Sequence, residues 1–572
     1  MATADDIGRE QRATVPRIVL PITSRGLEVT DRLCWGLLGI AMLAAAGLIL
    51  YLNRGTTFFL DELVHVYNSP DFDFGYALEP VNGHLGITSK VVYKLVLETV
   101  GAEYIAFRIL HVIAVLTAAA VFYAVVKRRI GALPALAPTI VLLFFGSAFS
   151  HVVIPIGFGI FVCVAAALGA LLALERGDRK GDVIACALLV LAIATFTIGL
   201  AFLVGVAIWI LLRDDRRQRA WVFLIPLLLY AAWWVWSQGQ AGGSGEETSL
   251  SNVLVIPSWI FDSLSVVTVS LLGLDYNFAG GEVLGDLGWG RVLAALAVVA
   301  LVLRVRRGNV PITLWVALGI LLSYWCLGAL AAEPGLRGPS ATRYLYPGAV
   351  MVLLVAAEAA RGIRFSRLGL IALFAVAAVG VAGNVIKLRD GASEFRAYSA
   401  AAKAQFMAIE LARGTVPDTF NPEVAAPEAA PVGALAAVYL DVVDRYGSIG
   451  FTIPELEVAG PGTRHVADQI LIPALGLHLE PAEGPTGECS TFKPAAPGDP
   501  VSFELPPGGA VMRVDSREPT GITIGRFDVP SVELGGMAPG ERIELAIPTD
   551  SSTVPWRAEV PGSRSIRVCG LG

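Results

Sequence analysis

The sequence predicts a polytopic α-helical membrane protein ending in a soluble domain that is helical at first and β-sandwich-like after that. Three observations predict it. Hydrophobic residues make up 55% of the 572 residues and charged residues only 16%, against about 25% charged in an ordinary soluble domain. The mean hydropathy is +0.65, and the apolar residues are segregated into long blocks between positions 33 and 385. Beyond Asp390 the composition changes, and alternating apolar and polar residues appear.

The first 32 residues are mixed in charge, with Arg9, Arg12, Arg17, Arg25 and Arg32. A secretory signal places its apolar core nearer the N-terminus. The tail is therefore expected to stay in the cytoplasm, with 34–52 as an uncleaved first span. A helix needs roughly 20 apolar residues to cross the hydrocarbon core. Reading the blocks against the loop charges gives about eleven spans. They lie near 33–52, 106–126, 133–150, 152–174, 183–197, 198–212, 220–236, 289–304, 312–331, 345–360 and 367–386.

Basic clusters at 127–129, 176–180, 213–219, 304–307 and 361–367 alternate with basic-poor loops. The positive-inside rule places all five in the cytoplasm. The apolar stretch 253–274 would break that alternation if it crossed, so it is expected to be an interfacial or re-entrant helix on the outer side. The result is a multi-pass plasma-membrane protein with a cytoplasmic N-terminus and an extracytoplasmic C-terminal domain. Tyr230, Trp233, Trp234 and Trp236 fit an aromatic belt at the outer interface. The net charge of −6 is spread thinly, and no basic run suggests nucleic acid.

The expected division is a tail at 1–32, a transmembrane domain at 33–392 with a long outward loop at 53–105, and a C-terminal domain at 393–572. In the last, 394–412 reads as an amphipathic helix, 416–431 as a Pro-rich linker and 434–446 as a second helix. From about 500, the segments VSFEL, AVMRVD, GITIGRFDV, RIELAI and SIRVC alternate with period two between Gly and Pro, the pattern of a small sandwich. Cys34, Cys163, Cys186 and Cys326 fall in spans, leaving Cys489 and Cys569 to bracket the β region. Outside the cytoplasm these two are expected to be bonded; two free thiols are the alternative.

Chemistry points to the loop at 53–105. It holds Asp61, Glu62, Asp71, Asp73, Glu79, Glu98 and Glu103, with His65 and His84. Loops carried on a rigid scaffold are where catalytic groups gather. If DELVHVY is helical, Asp61 and His65 share a face at i,i+4 while Glu62 points elsewhere. A carboxylate oriented by a neighbour suits a general base that takes a proton from a hydroxyl. A solvated acidic pair at a membrane surface is the plainer reading. His84 lies in Asn82-Gly83-His84-Leu85-Gly86, where glycines allow a tight turn and a close approach to a ligand; a turn histidine is the default. Arg108 opens the second span, where a snorkelling anchor is the bland reading. Arg337 and Arg343, with Tyr344, stand in the outward stretch 332–344. Guanidinium groups there suit a lipid phosphate, gripped bidentately, or ordinary head groups.

Together these features resemble the GT-C glycosyltransferases, membrane enzymes that use polyprenyl-phosphate-linked sugars. Leu60-Asp61-Glu62 matches an acidic motif after the first span. Ala106-Phe107-Arg108-Ile109-Leu110 matches a second span that begins with Arg. Thr342-Arg343-Tyr344-Leu345-Tyr346-Pro347 matches an Arg-Tyr pair that opens a late span. Pro80-Val81-Asn82-Gly83-His84 is similar to a stretch in uncharacterised actinobacterial members. The resemblance covers roughly 33–390 and implies an inverting glycosyltransferase. In it, Asp61 and Glu62 are the candidate catalytic residues, and His65, His84, Arg108, Arg337, Arg343 and Tyr344 the candidate substrate-binding residues. A polyprenyl-phosphate sugar is the implied donor, a glycan, lipid or protein the acceptor, and no cofactor is expected. Metal-dependent relatives carry acidic residues after the third span. This chain has Phe149-Ser150-His151-Val152-Val153 there, which sets a divalent metal in doubt. A transporter or flippase of lipid-linked sugars, or a non-catalytic scaffold, are the competing classes. Proton-coupled transport calls for ionisable residues inside spans, and the spans read here carry few.

Overall fold

The computed structural model describes residues 30–572 except 82, 241–249, 275–277, 280–281, 284–286, 334–336, 484–485, 497 and 572, together with two short backbone pairs at 19–20 and 27–28. The expectations for the tail before Thr30, with Arg9, Arg12, Arg17 and Arg25, and for Asn82 lie outside the described residues. The chain divides into two compact units: 1–54, 73–92 and 105–393, and then 55–72, 93–104 and 394–572. The sequence reading assigned the loop 53–105 whole to the transmembrane domain. Two pieces of it belong instead with the C-terminal segment.

The first unit is helical. Nine helices among the described residues are long and apolar enough to cross a membrane, including Asp31–Leu52, Tyr104–Ile130 and Arg367–Leu411. Arg179–Thr195, Ile198–Leu211 and Thr342–Ala359 are shorter or less apolar and run with them. This is the architecture of a polytopic helical membrane protein.

Hydrogen bonds show which helix ends lie together. Arg128 and Arg129, closing Tyr104–Ile130, reach Glu175 at the end of Phe158–Leu174. Arg129 also bonds Glu358 near the end of Thr342–Ala359 at 2.7 Å. Glu358 in turn accepts from Thr313 at the start of Ile312–Leu330. Arg304 donates to the Ala359 carbonyl at 3.0 Å. Arg219 pairs with Asp182 in the first turn of Arg179–Thr195 and reaches the Leu174 carbonyl. Lys127 pairs with Asp31. All five basic clusters thus share one end of this unit. Where the pairs are buried, each guanidinium has carboxylate partners, as a desolvated charge requires.

The helix at 256–271 tests that arrangement. With its preceding turn it spans 20 residues of mean hydropathy 1.7, so length and apolarity alone permit a crossing. Its contacts locate its two ends. Asn252, just before it, donates to the Leu330 and Ala332 carbonyls at the far end of Ile312–Leu330. A Cβ added at Gly290, at the start of Gly288–Arg306, would lie 2.6 Å from the Ser265 carbonyl oxygen. The Ser270 carbonyl accepts from Asn384 at 2.9 Å, about 26 Å along its helix from Arg367 at 1.5 Å per residue. The start of the 256–271 helix is therefore tied to the end opposite the basic clusters, while Leu271 at its other end packs against Ala137, Val141 and Ala377.

The second unit contains the end of a continuous helix, Arg367–Leu411, where the sequence suggested a span and a separate amphipathic helix. Ala436–Tyr446 and Pro461–Ala474 follow. Phe406 stacks on Tyr439 with ring centres 4.4 Å apart. Asp468 is buried, and its carboxylate accepts from the backbone N–H groups of Arg526, Phe527 and Asp528. That joins the last helix to the β region.

The β region has nine antiparallel strands: β1 Glu480–Pro481, β2 Thr486–Phe492, β3 Val501–Glu504, β4 Gly509–Asp515, β5 Thr520–Gly525, β6 Val532–Met537, β7 Arg542–Ala546, β8 Arg557–Val560 and β9 Ser565–Leu571. They form a four-stranded sheet, β6-β5-β8-β3, and a five-stranded sheet, β1-β7-β4-β9-β2. Val501 and Phe503 alternate inward on β3, as do Ile543 and Leu545 on β7, the two-residue period of a half-buried strand. Phe492 of one sheet stacks on Phe503 of the other at 5.4 Å. Cys489 and Cys569 are directly opposite on β2 and β9 and are bonded, with Cα atoms 3.9 Å apart.

Candidate functional site

In the second unit, the run Thr56–Asp61 is pinned on both sides before the acidic pair appears. Phe58 packs edge-on against Tyr104 at 4.7 Å. Phe59 packs edge-on against Phe395 at 5.1 Å and Tyr398 at 4.5 Å. The Thr57 N–H donates to the Ser399 hydroxyl. Between this anchored run and the helix Asp61–Tyr67 stands Leu60, with φ 40° and ψ −103°. A leucine in that region is strained by an order of 1–3 kcal/mol and persists only where its surroundings over-determine it. Such residues concentrate at functional sites.

Asp61 is the next residue, half-buried, in the first turn of the helix. That position favours a carboxylate, since the N-terminal N–H dipoles face it. Glu62 is only 1% exposed. Its Oε1 accepts from the Tyr93 hydroxyl at 2.6 Å, and its Oε2 from the Tyr104 hydroxyl at 3.0 Å and the Phe59 N–H at 3.1 Å. Burial pushes its carboxyl up to about 8, against the pull of those three donors. His65 lies one turn on, half-buried, its ring 5.1 Å from that of Tyr93. DELVHVY is helical, so Asp61 and His65 stand at i,i+4 on one face.

Other acids of the loop have structural employment. Asp73 caps Phe74–Leu78 through the Tyr76 N–H at 2.7 Å. Glu98 pairs with Lys94 and Arg445 on the surface.

In the helical unit, the loop piece 73–92 is held by Lys90. It is buried and donates to the Tyr76 and Glu79 carbonyls. His84 sits in a two-way backbone bridge with Val81, at 2.9 Å each way. Gly83 closes that turn at φ 76°, a conformation that glycine alone adopts freely. The imidazole Nδ1 hydrogen-bonds the Thr197 hydroxyl at 2.8 Å, and the ring lies 4.0 Å from Phe196. Burial, and then the positive charges of Arg337 and Arg343, push His84 down to about 4. It is therefore a neutral hydrogen-bonding group at physiological pH.

Arg337 and Arg343 thus lie near enough to His84 for their charge to bear on it. Arg343 lies in the first turn of Thr342–Ala359, its guanidinium 5.6 Å from the Tyr344 ring. Tyr344 packs against Trp259 at 6.2 Å, and its carbonyl accepts from Tyr324. Arg337 is fixed by a two-way backbone bridge with Glu333 and a 3.9 Å ion pair to the same residue. Arg108 is half-buried in the second turn of Tyr104–Ile130.

Sequence reasoning missed several members of this end. The Ser150 hydroxyl lies 2.8 Å from that of Thr342 and 2.9 Å from His151 Nδ1, so a short polar chain braces the turn that carries Arg343. Lys387 is buried and donates to the Ser147 hydroxyl. The sequence reading weighs Ser150-His151 only against a metal, and nothing local marks Lys387, just past a span. Among the described residues, no three His, Cys, Asp or Glu side chains stand together as a metal-binding group.

No family model matches the chain, and no curated protein matches it. Two solved structures are similar. One is ArnT from Cupriavidus metallidurans bound to undecaprenyl phosphate, 12% identical over 68% of this chain and 81% of that one, with a TM-score of 0.43. The other is the arabinosyltransferase EmbB from Mycobacterium smegmatis, 11% identical over 98% of this chain and 67% of that one, with a TM-score of 0.32.

Proposed function

We propose that this chain is an inverting glycosyltransferase that moves a sugar from a polyprenyl-phosphate donor to an extracytoplasmic glycan, lipid or protein acceptor. The observation that carries the reading is Asp61 itself. It is a half-buried carboxylate presented by a strained residue, beside a second carboxylate already engaged by three donors. In this reading Asp61 takes the proton of an acceptor hydroxyl. That oxygen then bonds the anomeric carbon from the face opposite the phosphate. The sugar–phosphate C–O bond breaks, and its electron pair leaves with the polyprenyl phosphate, so the anomeric centre inverts.

The leaving phosphate is a weak base and needs charge stabilisation more than a proton. Arg343 and Arg337 supply it, since guanidinium grips a phosphate bidentately and preorganised charge acts most strongly where water is excluded. His84, neutral, offers hydrogen bonding to the donor. The gathering of the basic clusters at one end of the helical unit supports a cytoplasmic position for that end under the positive-inside rule. The opposite end, the first loop and residues 394–572 are then extracytoplasmic.

Two experiments test this. Asp61→Asn keeps the size and removes the base, so transfer from a polyprenyl-phospho-sugar in membrane vesicles should fall by about 10²–10⁴-fold, with the protein still folded. Full transfer in that variant would end the proposal. Reporter fusions after Arg216 and after Asn309 should report one side of the membrane, and a fusion after Pro431 the other. Fusions at 216 and 431 on the same side would remove the topology on which the acceptor assignment depends.

A further inference from the structure

Asp61 and Glu62 are adjacent in sequence and differ in situation. Three donors converge on the Glu62 side chain: the Phe59 N–H, the Tyr93 hydroxyl and the Tyr104 hydroxyl. The clasp with residue 59 is reciprocal. The Glu62 N–H donates to the Phe59 carbonyl at 2.9 Å, while the Phe59 N–H donates to Glu62 Oε2 at 3.1 Å. A side chain reaching back three residues to a backbone N–H is the return half of a capping box.

Leu60 lies inside that clasp, at φ 40°. Phe59, wedged between Phe395 and Tyr398, is held against swinging out to relax it. The direction in which Asp61 leaves the backbone follows from the torsions of Leu60. We infer that Glu62 is a positioning residue: its buried carboxyl grips Phe59, holds the Leu60 turn closed and so fixes where Asp61 is aimed.

This rests on the reading of Asp61 as the base, and the test separates the two. Glu62→Ala opens the clasp. Misplacement of a reacting group by about 1 Å costs on the order of 10²-fold, so kcat should fall roughly 10- to 100-fold, with KM for the polyprenyl-phospho-sugar within about 2-fold of wild type. Glu62→Gln keeps an amide oxygen for the Phe59 N–H, and a tyrosine hydroxyl can turn to accept from the new NH₂. It should rescue kcat to within about 5-fold. Hydrogen exchange supplies a readout independent of transfer. The amides of 59–64 should exchange at least about 10-fold faster in Glu62→Ala and near the wild-type rate in Glu62→Gln. Should Glu62→Ala fail to fold, the Tyr93→Phe, Tyr104→Phe double variant loosens the same carboxyl and should give an intermediate kcat loss.

Wild-type kcat in Glu62→Ala, or faster exchange with no kcat change, overturns the inference. A Glu62→Gln as inactive as Asp61→Asn also overturns it, because Glu62 would then be the proton acceptor. Full activity in Asp61→Asn ends the base assignment and the positioning role together, and the exchange data would then describe a structural turn only.

Discussion

The long loop after the first span is cut into pieces that fold with different units, and two of those pieces hold their candidate groups by opposite means. Residues 55–72 belong with the C-terminal segment and 73–92 with the helices. In the first piece a buried carboxyl collects donors and keeps a leucine in a conformation it would otherwise leave. In the second, a glycine supplies the turn at no steric cost, and a lysine collects carbonyls. One piece spends side-chain hydrogen bonds to hold strain in place. The other avoids strain and uses its hydrogen bonds to fix the loop. The lesson is that a motif such as Asp-Glu is intelligible only with its clasp, whereas Gly83 sets the His84 turn locally and only the ring depends on Thr197, 113 residues away.

Measurements on the helical unit can break or sharpen that contrast. If the first piece serves the acceptor proton and the helical unit the donor, their variants should fail in different parameters. After the loss of Asp61, the largest effect belongs to Arg343→Lys. It keeps the charge and loses the planar fork, so kcat/KM for the donor should fall by roughly 10- to 100-fold, with KM rising. A change confined to kcat would assign Arg343 to the same task as Glu62 and erase the contrast.

A smaller effect concerns His84. Its folded-state value is held near 4 against an ordinary 6.5, so the unfolded chain binds the proton more readily. The stability this contributes is fully present above about pH 6.5 and is lost as pH falls toward 4. The ceiling is on the order of 3 kcal/mol for a shift of this size. Thermal unfolding in detergent should therefore show wild type losing more stability than His84→Gln between pH 7 and pH 4.5. Equal losses would mean that the buried imidazole does not resist protonation.

Much of the architecture was readable because each part carries its own periodicity. The spans follow from apolar length, and β3, β4, β5, β7 and β9 from two-residue alternation. β2 was not readable. All but its last residue are exposed, so no inward period exists to find. The continuous helix through Asp390-Gly391 was read as a boundary, because composition changes there while the backbone does not. Pro461–Ala474, with a proline near each end, receives no element in the sequence reading.

The candidate residues were legible as types and positions, but not as roles. Tyr93 and Tyr104 lie 31 and 42 residues from Glu62, and nothing local to an Asp-Glu pair says which carboxylate will be buried. Ser150 and Thr342 are 192 residues apart, and each alone is an ordinary turn residue.

The bond between Cys489 and Cys569 bears on how the protein is made. It joins residues 80 apart, and β9, which carries Cys569, lies between β4 and β2 in its sheet. That sheet cannot close until the ribosome has passed residue 571. Until then β4 has an open flank and Cys489 has no partner, which leaves an unpaired strand edge of the kind that aggregates. Closure of this sheet is therefore a late event in synthesis, and the bond that staples it can form only after the last strand has been made.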